Sequence, residues 1–420
     1  MRWDVIVVGA GAAGLLAAIR AAERGRRTLL LEKNRKPGAK ILMSGGTRCN
    51  ITHNTDARGV VAAYGHQGRF LHSALAALSP ADVVAVFEAE GVATKVEETG
   101  KVFPASDHAT DVLAALLQRL ERSDCELRLG EPLVEIAKID DGFQLVTPEG
   151  VHETTTVIIT TGGQSYPGCG TTGDAYRWLA ELGHTIVPPR PALTPITTNA
   201  TWVTSLKGIT IPDVIVKVVV SDRATTSSET KPKKKKPLDE RRGSFLFTHF
   251  GLSGPVALDV SRTITGHPNP MVLDLECDFL PSQSIEEVDA TILREAASDG
   301  KKQLIGVLSR IVPRRLAEDL FEKAAINPEL KAAEMSKVIR QQLVEALKRS
   351  RIPVSGTRGF KKAEVTAGGV KLGEVNSSTM ESKLVPNLYL AGEVLDLDGP
   401  IGGFNFQAAF STAWLAGSHV

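Results

Sequence analysis

The sequence predicts an α/β fold in which a parallel-sheet domain is formed from both chain ends and interrupted by an inserted β domain and a small helical subdomain. Three observations predict it. Residues 3–32 alternate a short β-branched run, a glycine turn, a helical apolar period and a second apolar run. Residues 188–195 hold four prolines, and β-branched, then amphipathic helical composition follows them. Parallel-strand patterning returns after residue 353 and ends in a helix opened by glycines.

In the first stretch, Trp3-Asp4-Val5-Ile6-Val7-Val8 reads as a strand covered on both faces, because its apolar run is nearly unbroken. Gly9-Ala10-Gly11-Ala12-Ala13-Gly14 follows, and Leu15, Leu16, Ala18, Ile19 and Ala22 then recur at helical spacing. Gly9 permits the tight turn, Gly11 lets a backbone approach a pyrophosphate, and Gly14 lets helix and strand pack closely. Residues 28–31 form a second strand that stops at Glu32 and Lys33. An acid about 20 residues beyond such a turn is placed to accept hydrogen bonds from a ribose diol. Strand, glycine turn, helix and terminal acid together point to a dinucleotide site.

Composition bounds the remaining possibilities. A chain of 420 residues has room for two or three domains. With 49 Lys and Arg against 48 Asp and Glu, the net charge of +1 argues against general nucleic-acid binding. No apolar run reaches membrane-spanning length, and the first residues do not read as a leader. The four cysteines, Cys49, Cys125, Cys169 and Cys277, form no CxxC pair, so neither a zinc site nor a dithiol is expected. The expectation is a cytoplasmic protein that acts on a small-molecule substrate, away from membranes.

Residues 36–54 read as a loop running along an extended cofactor. Gly38, Gly45 and Gly46 allow backbone amides to approach it, and Lys40 and Arg48 are placed to offset pyrophosphate charge. Cys49 and Asn50 lie in the same loop; for Cys49 a structural role is favoured over a thiol packed against the cofactor ring. Residues 71–78 and 109–120 are helical, residues 92–102 a strand pair, and residues 127–139 and 143–146 further strands, where the backbone at Leu133 and Val134 is placed to reach an adenine. Val157-Ile158-Ile159 is another buried strand, and it ends in Thr160-Thr161-Gly162-Gly163, a small-residue turn at the carboxyl edge of the sheet. In the following glycine loop, Tyr166 either lines a pocket or packs, and Thr172 or Asp174 reads as a helix cap.

The prolines of residues 188–195 mark a boundary. Residues 209–220 and 243–248 are strand-like, and the run Lys233-Lys234-Lys235-Lys236 between them reads as a solvated loop. Residues 280–349 are short amphipathic helices. After residue 353, Val365-Thr366-Ala367-Gly368-Gly369-Val370 is a strand and turn, and residues 387–393 are a final parallel strand ending at Gly392 and Glu393. Glu393, or failing it Asp396, is placed to bind ribityl hydroxyls. Gly402 and Gly403 open a helix beginning at Phe404 and Asn405, whose positive end suits the pyrimidine edge of a flavin as that edge gains negative charge.

These motifs carry a resemblance. GAGAAG at residues 9–14, KILMSGGTRCN at 40–50, TTGGQSYPGCGTTGD at 160–174, FGLSGP at 250–255, VTAGGV at 365–370 and AGEVLDLDGPIGGFNFQAAF at 391–410 span almost the whole chain. The chain resembles the bacterial FAD-binding enzymes labelled the aminoacetone-oxidase family, and is similar to the flavoprotein reductases of bile-acid 7-dehydroxylation. The resemblance implies a Rossmann-like FAD domain from residues 1–190 and 353–420, interrupted by a β-barrel-like domain at 191–275 and a helical subdomain at 276–352. The Lys233 to Lys236 run departs from that pattern as an insertion. The implied activity is an FAD-dependent oxidoreduction of a small organic molecule. No second glycine-turn unit is present, so NAD(P)H is expected only as a transient donor over the flavin. No catalytic acid or base stands out. Two rival classes are a flavin-dependent RNA-modifying or RNA-binding protein and a non-enzymatic flavin-binding protein. A plain NAD dehydrogenase is disfavoured by the C-terminal glycine–helix motif.

Overall fold

The computed structural model describes residues 2–221 and 236–420, so Lys233, Lys234 and Lys235 lie outside the described residues. The chain divides into two compact units, Met1–Pro191 with Ala363–Val420, and Ala192–Lys362.

The first unit is built on the strand Trp3–Val8, buried at every position but Asp4. It lies between Thr28–Glu32 and Gly150–Ile159, parallel to both. Glu126–Leu129 extends the sheet on one side, and Leu388–Leu390 pairs in parallel with the last residues of Gly150–Ile159. The antiparallel hairpin Glu135–Ile139 and Gly142–Thr147 joins the earlier half of that long strand. In this register Val8 stands opposite both Leu31 and Ile159, and Ile159 opposite Leu390. Four strands therefore end at one level, and the chain leaves the sheet there as Gly9, Glu32, Thr160 and Ala391. That is where open α/β sheets bind ligands.

Two helices cover one face. Ala12–Glu23 and the C-terminal helix Phe404–His419 approach so closely that a Cβ at Gly417 would lie 2.6 Å from the Ala17 carbonyl oxygen. Arg20 clamps the pair, stacking 4.5 Å from the Trp414 ring and donating to Ser418 Oγ at 2.9 Å.

Several local expectations change. Residues 36–54 are not a plain loop: they contain a helix, Ala39–Thr47, broken by non-helical backbone at Ser44, Gly45 and Gly46. A further helix, Pro80–Ala89, is marked in the sequence by the reciprocal capping box of Ser79 and Asp82. The stretch expected at residues 127–139 forms two strands, Glu126–Leu129 and Glu135–Ile139, parted by residues 130–134. The proline-rich boundary contains a strand, Ile186–Ala192, paired in a two-stranded sheet with Val365–Val370. Prolines are tolerated there because each strand has an edge that needs no N–H donor.

The second unit is one antiparallel seven-stranded sheet with helices sharing its hydrophobic core. Its two end strands, Ser350–Pro353 and Gly356–Thr357, are joined by only Val354 and Ser355. Val354 N–H donates to the Leu273 carbonyl and Ser355 N–H to the Thr197 carbonyl, which draws the two edges of the sheet together into a barrel-like curl. The first unit resumes at Ala363 rather than at residue 353, because these strands complete the curl.

Candidate cofactor site

The glycine turn divides into packed and open positions. Gly9 has φ +101°, and its N–H donates to the Leu31 carbonyl at 2.7 Å. A Cβ on Gly14 would overlap the Gly9 carbonyl oxygen, whereas one on Gly11 meets nothing within 4 Å. Gly14 thus seats the first helix on the turn, with Ala13 and Gly392 also in close approach, while Gly11 leaves the helix entrance open. That helix has no side-chain cap and no acid in its first turn, and Ala12 is its first residue. Its leading N–H groups and the positive end of its dipole are left for an anion.

Glu32 is buried at the strand end. Its Oε2 accepts from Ala10 N–H and its Oε1 from Asn34 N–H, both at 2.8 Å, so the acid is fixed across the turn. Lys33 turns away to pair with Asp174 and donates to Thr172 Oγ1 at 2.7 Å. Asp174 is no cap: Gly173 holds that position, and no side chain bonds to the helix end. Burial raises the Asp174 pKa, but hydrogen bonds from Lys33 and Thr172 outweigh it and hold it below the ordinary value.

A polar network missing from the sequence reading lies beside this turn. Lys40 Nζ contacts Glu393 Oε2 at 2.7 Å and donates to Ser165 Oγ at 2.6 Å. Ser165 Oγ donates to Glu393 Oε1 at 2.6 Å, and Thr366 N–H donates to the same oxygen at 2.9 Å. Thr366 Oγ1 in turn accepts from the amides of Gln164 and Ser165. A Cβ on Gly163 would overlap Thr366, so that glycine serves this packing, while Gly162 packs near Thr171. Both Ser165 and Thr366 stand in motifs the sequence displays, but nothing local marks their hydroxyls. Asp396 Oδ1 accepts from Gly368 N–H at 3.1 Å and from Gln67 Nε2 at 3.3 Å.

Gly403, at φ +94°, precedes the C-terminal helix, which no side chain caps. A Cβ there would overlap the Thr52 carbonyl. Gln407, fully buried, accepts from Thr52 Oγ1 at 2.5 Å and donates to the Leu78 carbonyl at 3.1 Å. His53 Nδ1 donates to the Gly402 carbonyl at 3.0 Å, and its ring stacks on Phe404 at 4.6 Å. Asn405 Nδ2 donates to the Gly399 carbonyl and its Oδ1 accepts from Gly399 N–H, closing the loop before the helix. The helix entrance is therefore held from three sides.

Other expected contacts have different partners. Arg48 pairs with Glu97 at 2.7 Å and Asp107 at 3.4 Å and lies over Phe103. Val134 uses its N–H on the Val146 carbonyl and its carbonyl on Trp178 Nε1, so neither backbone group is free for an adenine. Gly45 packs on Phe103 and Asn50, and Gly46 is open. Cys49 is buried, and burial pushes its thiol up to about 12. Thr47, Cys49 and Tyr166 hold left-handed φ of 70°, 61° and 55°, a strained backbone that packing must enforce. Thr161 Oγ1 and Asn50 Oδ1 are buried with no partner among the described residues. All four cysteines are free, and no cluster of metal-ligating side chains occurs among the described residues.

Residues 3–419 match the family described as the HI0933-like protein Rossmann domain. The chain belongs to that family. HI0933-like proteins are FAD-binding Rossmann oxidoreductases, in agreement with the glycine turn and the two uncapped helix ends. The chain is similar to the ribosomal RNA dihydrouridine synthase of Escherichia coli K12, 34% identical over 98% of this chain and 96% of that protein. It is also similar to the 3-dehydro-bile acid delta(4,6)-reductase of Clostridium scindens, 28% identical over 98% of this chain and 97% of that protein. The Mycobacterium smegmatis Sdh1 complex in the apo form shares the fold, with a TM-score of 0.51, 15% identity and coverage of 99% of this chain and 67% of that chain.

The residues present fit FAD. Gly11 is an open cradle, two helix entrances lack side-chain caps, and Thr161 Oγ1 is an orphaned hydroxyl at the carboxyl edge of the sheet. Amides and hydroxyls are donors suited to phosphate, ribityl and flavin oxygens.

Proposed function

We propose that this HI0933-like protein reduces a carbon–carbon double bond conjugated to a carbonyl, and that the substrate is a uridine of ribosomal RNA. The observation that carries the reading is the full-length similarity to the Escherichia coli ribosomal RNA dihydrouridine synthase. The bile-acid reductase also acts on unsaturation, by its name, so one reaction class covers both relatives. FAD, when bound and reduced at the expense of NAD(P)H, would supply a hydride to C6 of uracil, and a proton from solvent at C5 would complete saturation of the C5=C6 bond.

The chain's own residues supply position and charge. The first helix entrance and Gly11 would hold the pyrophosphate, and Glu32, fixed by two backbone amides, would accept hydrogen bonds from a ribose diol. Glu393, its carboxylate oriented by Lys40, Ser165 and Thr366, would bind the ribityl hydroxyls. The C-terminal helix entrance at Gly402–Asn405 would stabilise negative charge on the flavin's pyrimidine edge.

The test uses ribosomal RNA from cells lacking the protein. Incubation with purified protein, FAD and NADH or NADPH should raise dihydrouridine in the nucleoside digest, read by mass spectrometry, and deletion should lower it. Unchanged dihydrouridine in both arms would overturn the RNA substrate. A second reading, a small unsaturated ketone as substrate, is favoured by the bile-acid relative and the near-neutral net charge. Anaerobic bleaching of the flavin bands by NAD(P)H, and their return on adding an unsaturated steroid ketone, would support it.

A further inference from the structure

Charge is unevenly shared along this nearly neutral chain. The second unit, Ala192–Lys362, carries 27 Lys and Arg against 20 Asp and Glu in the sequence, and the first unit 22 against 28. Leaving out residues 222–235, the second unit still has 22 against 18. Many of its cations are spent on ion pairs, such as Arg242 on Asp213, Arg340 on Asp289 and Arg351 on Glu276. A different arrangement occurs at one end of its sheet.

There the strand Ile196–Thr197 lies between Gly251–Ser253 and Gly356–Thr357. This pairing brings the turn at His249 and Phe250 beside the segment Arg358-Gly359-Phe360-Lys361-Lys362. Thr198 N–H donates to the Phe250 carbonyl, and Arg358 N–H to the Pro195 carbonyl, which fixes both segments to the central strand. The Arg358 guanidinium lies over the Phe250 ring, 4.6 Å from its centroid. Arg358, Lys361 and His249 are exposed, and Phe250 and Phe360 are half-buried. Neither Arg358 nor Lys361 has a carboxylate partner among the described residues.

We propose that this sheet end is a surface for single-stranded RNA. The inference rests on the RNA-substrate reading above and extends it by naming where the strand is held. Unpaired cations attract phosphates, and an arginine stacked on an aromatic ring forms a flat platform for an unstacked base. A base whose C5=C6 bond is to be reduced must leave its stack, so a site that favours unpaired strands suits the reaction.

The experiment measures anisotropy of a fluorescein-labelled 12-nucleotide oligouridylate against full-length protein over a salt series, with a 12-base-pair RNA duplex as comparison. R358E/K361E is expected to weaken oligouridylate binding at least about tenfold and to lower the salt slope by about 1.4, two contacts at about 0.7 each. R358Q/K361Q should weaken it less, with an unchanged melting temperature. K301E/K337E makes the same charge change at exposed lysines elsewhere in the unit and should leave binding within about twofold. Wild-type affinity in R358E/K361E, equal weakening in K301E/K337E, or duplex binding as tight as single-strand binding would each overturn the surface. Dihydrouridine is scored separately: its absence from every reaction, with oligouridylate binding lost only in the sheet-end variants, would sink the functional reading and leave the surface standing.

Discussion

At the scale of single residues, Gly11 and Gly14 separate cofactor binding from folding, although both stand in one motif. A Cβ at Gly11 meets no protein atom, so Gly11→Ala should keep its melting temperature within about 1 °C while purifying with much less FAD. A Cβ at Gly14 overlaps the Gly9 carbonyl oxygen, and Gly14→Ala should lose about 1–3 kcal/mol of stability as well as FAD. Melting curves beside the ratio of flavin to protein absorbance check both, and a flavin-replete Gly11→Ala would refute the open-cradle assignment. Lys40 offers a second test. Lys40→Met removes the cation from Glu393 but leaves Ser165 and the Thr366 amide in place. Because both charged groups are partly exposed, the stability loss should stay near about 1 kcal/mol, while FAD affinity falls more steeply. Titration of apo-protein with FAD distinguishes this from a merely structural pair, which would lose stability without losing affinity.

At the scale of elements, the C-terminal helix is the part whose placement decides the flavin edge. Its entrance is held by Gly403 against the Thr52 carbonyl, by Gln407 on Thr52 and Leu78, and by the His53–Phe404 stack. Gly403→Ala adds a side chain both at a positive φ and onto a backbone oxygen, so the helix must withdraw from the Thr52 carbonyl. The expected result is a retained fold with altered flavin fluorescence and weakened FAD binding. Gln407→Leu, by contrast, removes the acceptor of the buried Thr52 hydroxyl, while the Leu78 carbonyl keeps the Ser411 hydroxyl as donor, and should cost about 1–3 kcal/mol. Chemical denaturation measures that difference.

At the scale of the whole molecule, buried titratable groups narrow the pH range of stability. Cys49 and Cys277 are both buried, and burial pushes their thiols up to about 12. Thiols of the unfolded chain lose protons near pH 8.5. Between about pH 9 and 12 the folded chain therefore holds more protons than the unfolded one, and stability falls as pH rises through that window. At the acid side, burial depresses the pKa of His184 against the opposing pull of Glu374. Its neutral ring contributes stability that is present above pH 6.5 and lost as the pH drops below it. Melting temperatures from pH 5 to 11 should trace a dome; Cys277→Ala should flatten its alkaline limb and His184→Gln its acid limb.

The Rossmann-like core, the glycine turn with its terminal acid, and the glycine entrance to the last helix are all readable along the chain. Each is written within about 30 residues, as periodicity and as glycines where a Cβ has no room or would block an approach. The helix Pro80–Ala89 is absent from the sequence analysis, although its local signal, the Ser79–Asp82 capping box, lies within four residues. Which polar groups meet is set by long-range packing. Lys40 and Glu393 are 353 positions apart, and Arg48 reaches Glu97 and Asp107 across 49 and 59 positions. Val134 lost its free backbone groups to Val146 and Trp178, and the prolines of the boundary became a strand once Val365–Val370 lay beside them. Turn geometry is a property of neighbours along the chain, whereas the partner of a charge or an amide is set by whichever distant segment packing brings within about 3 Å of it.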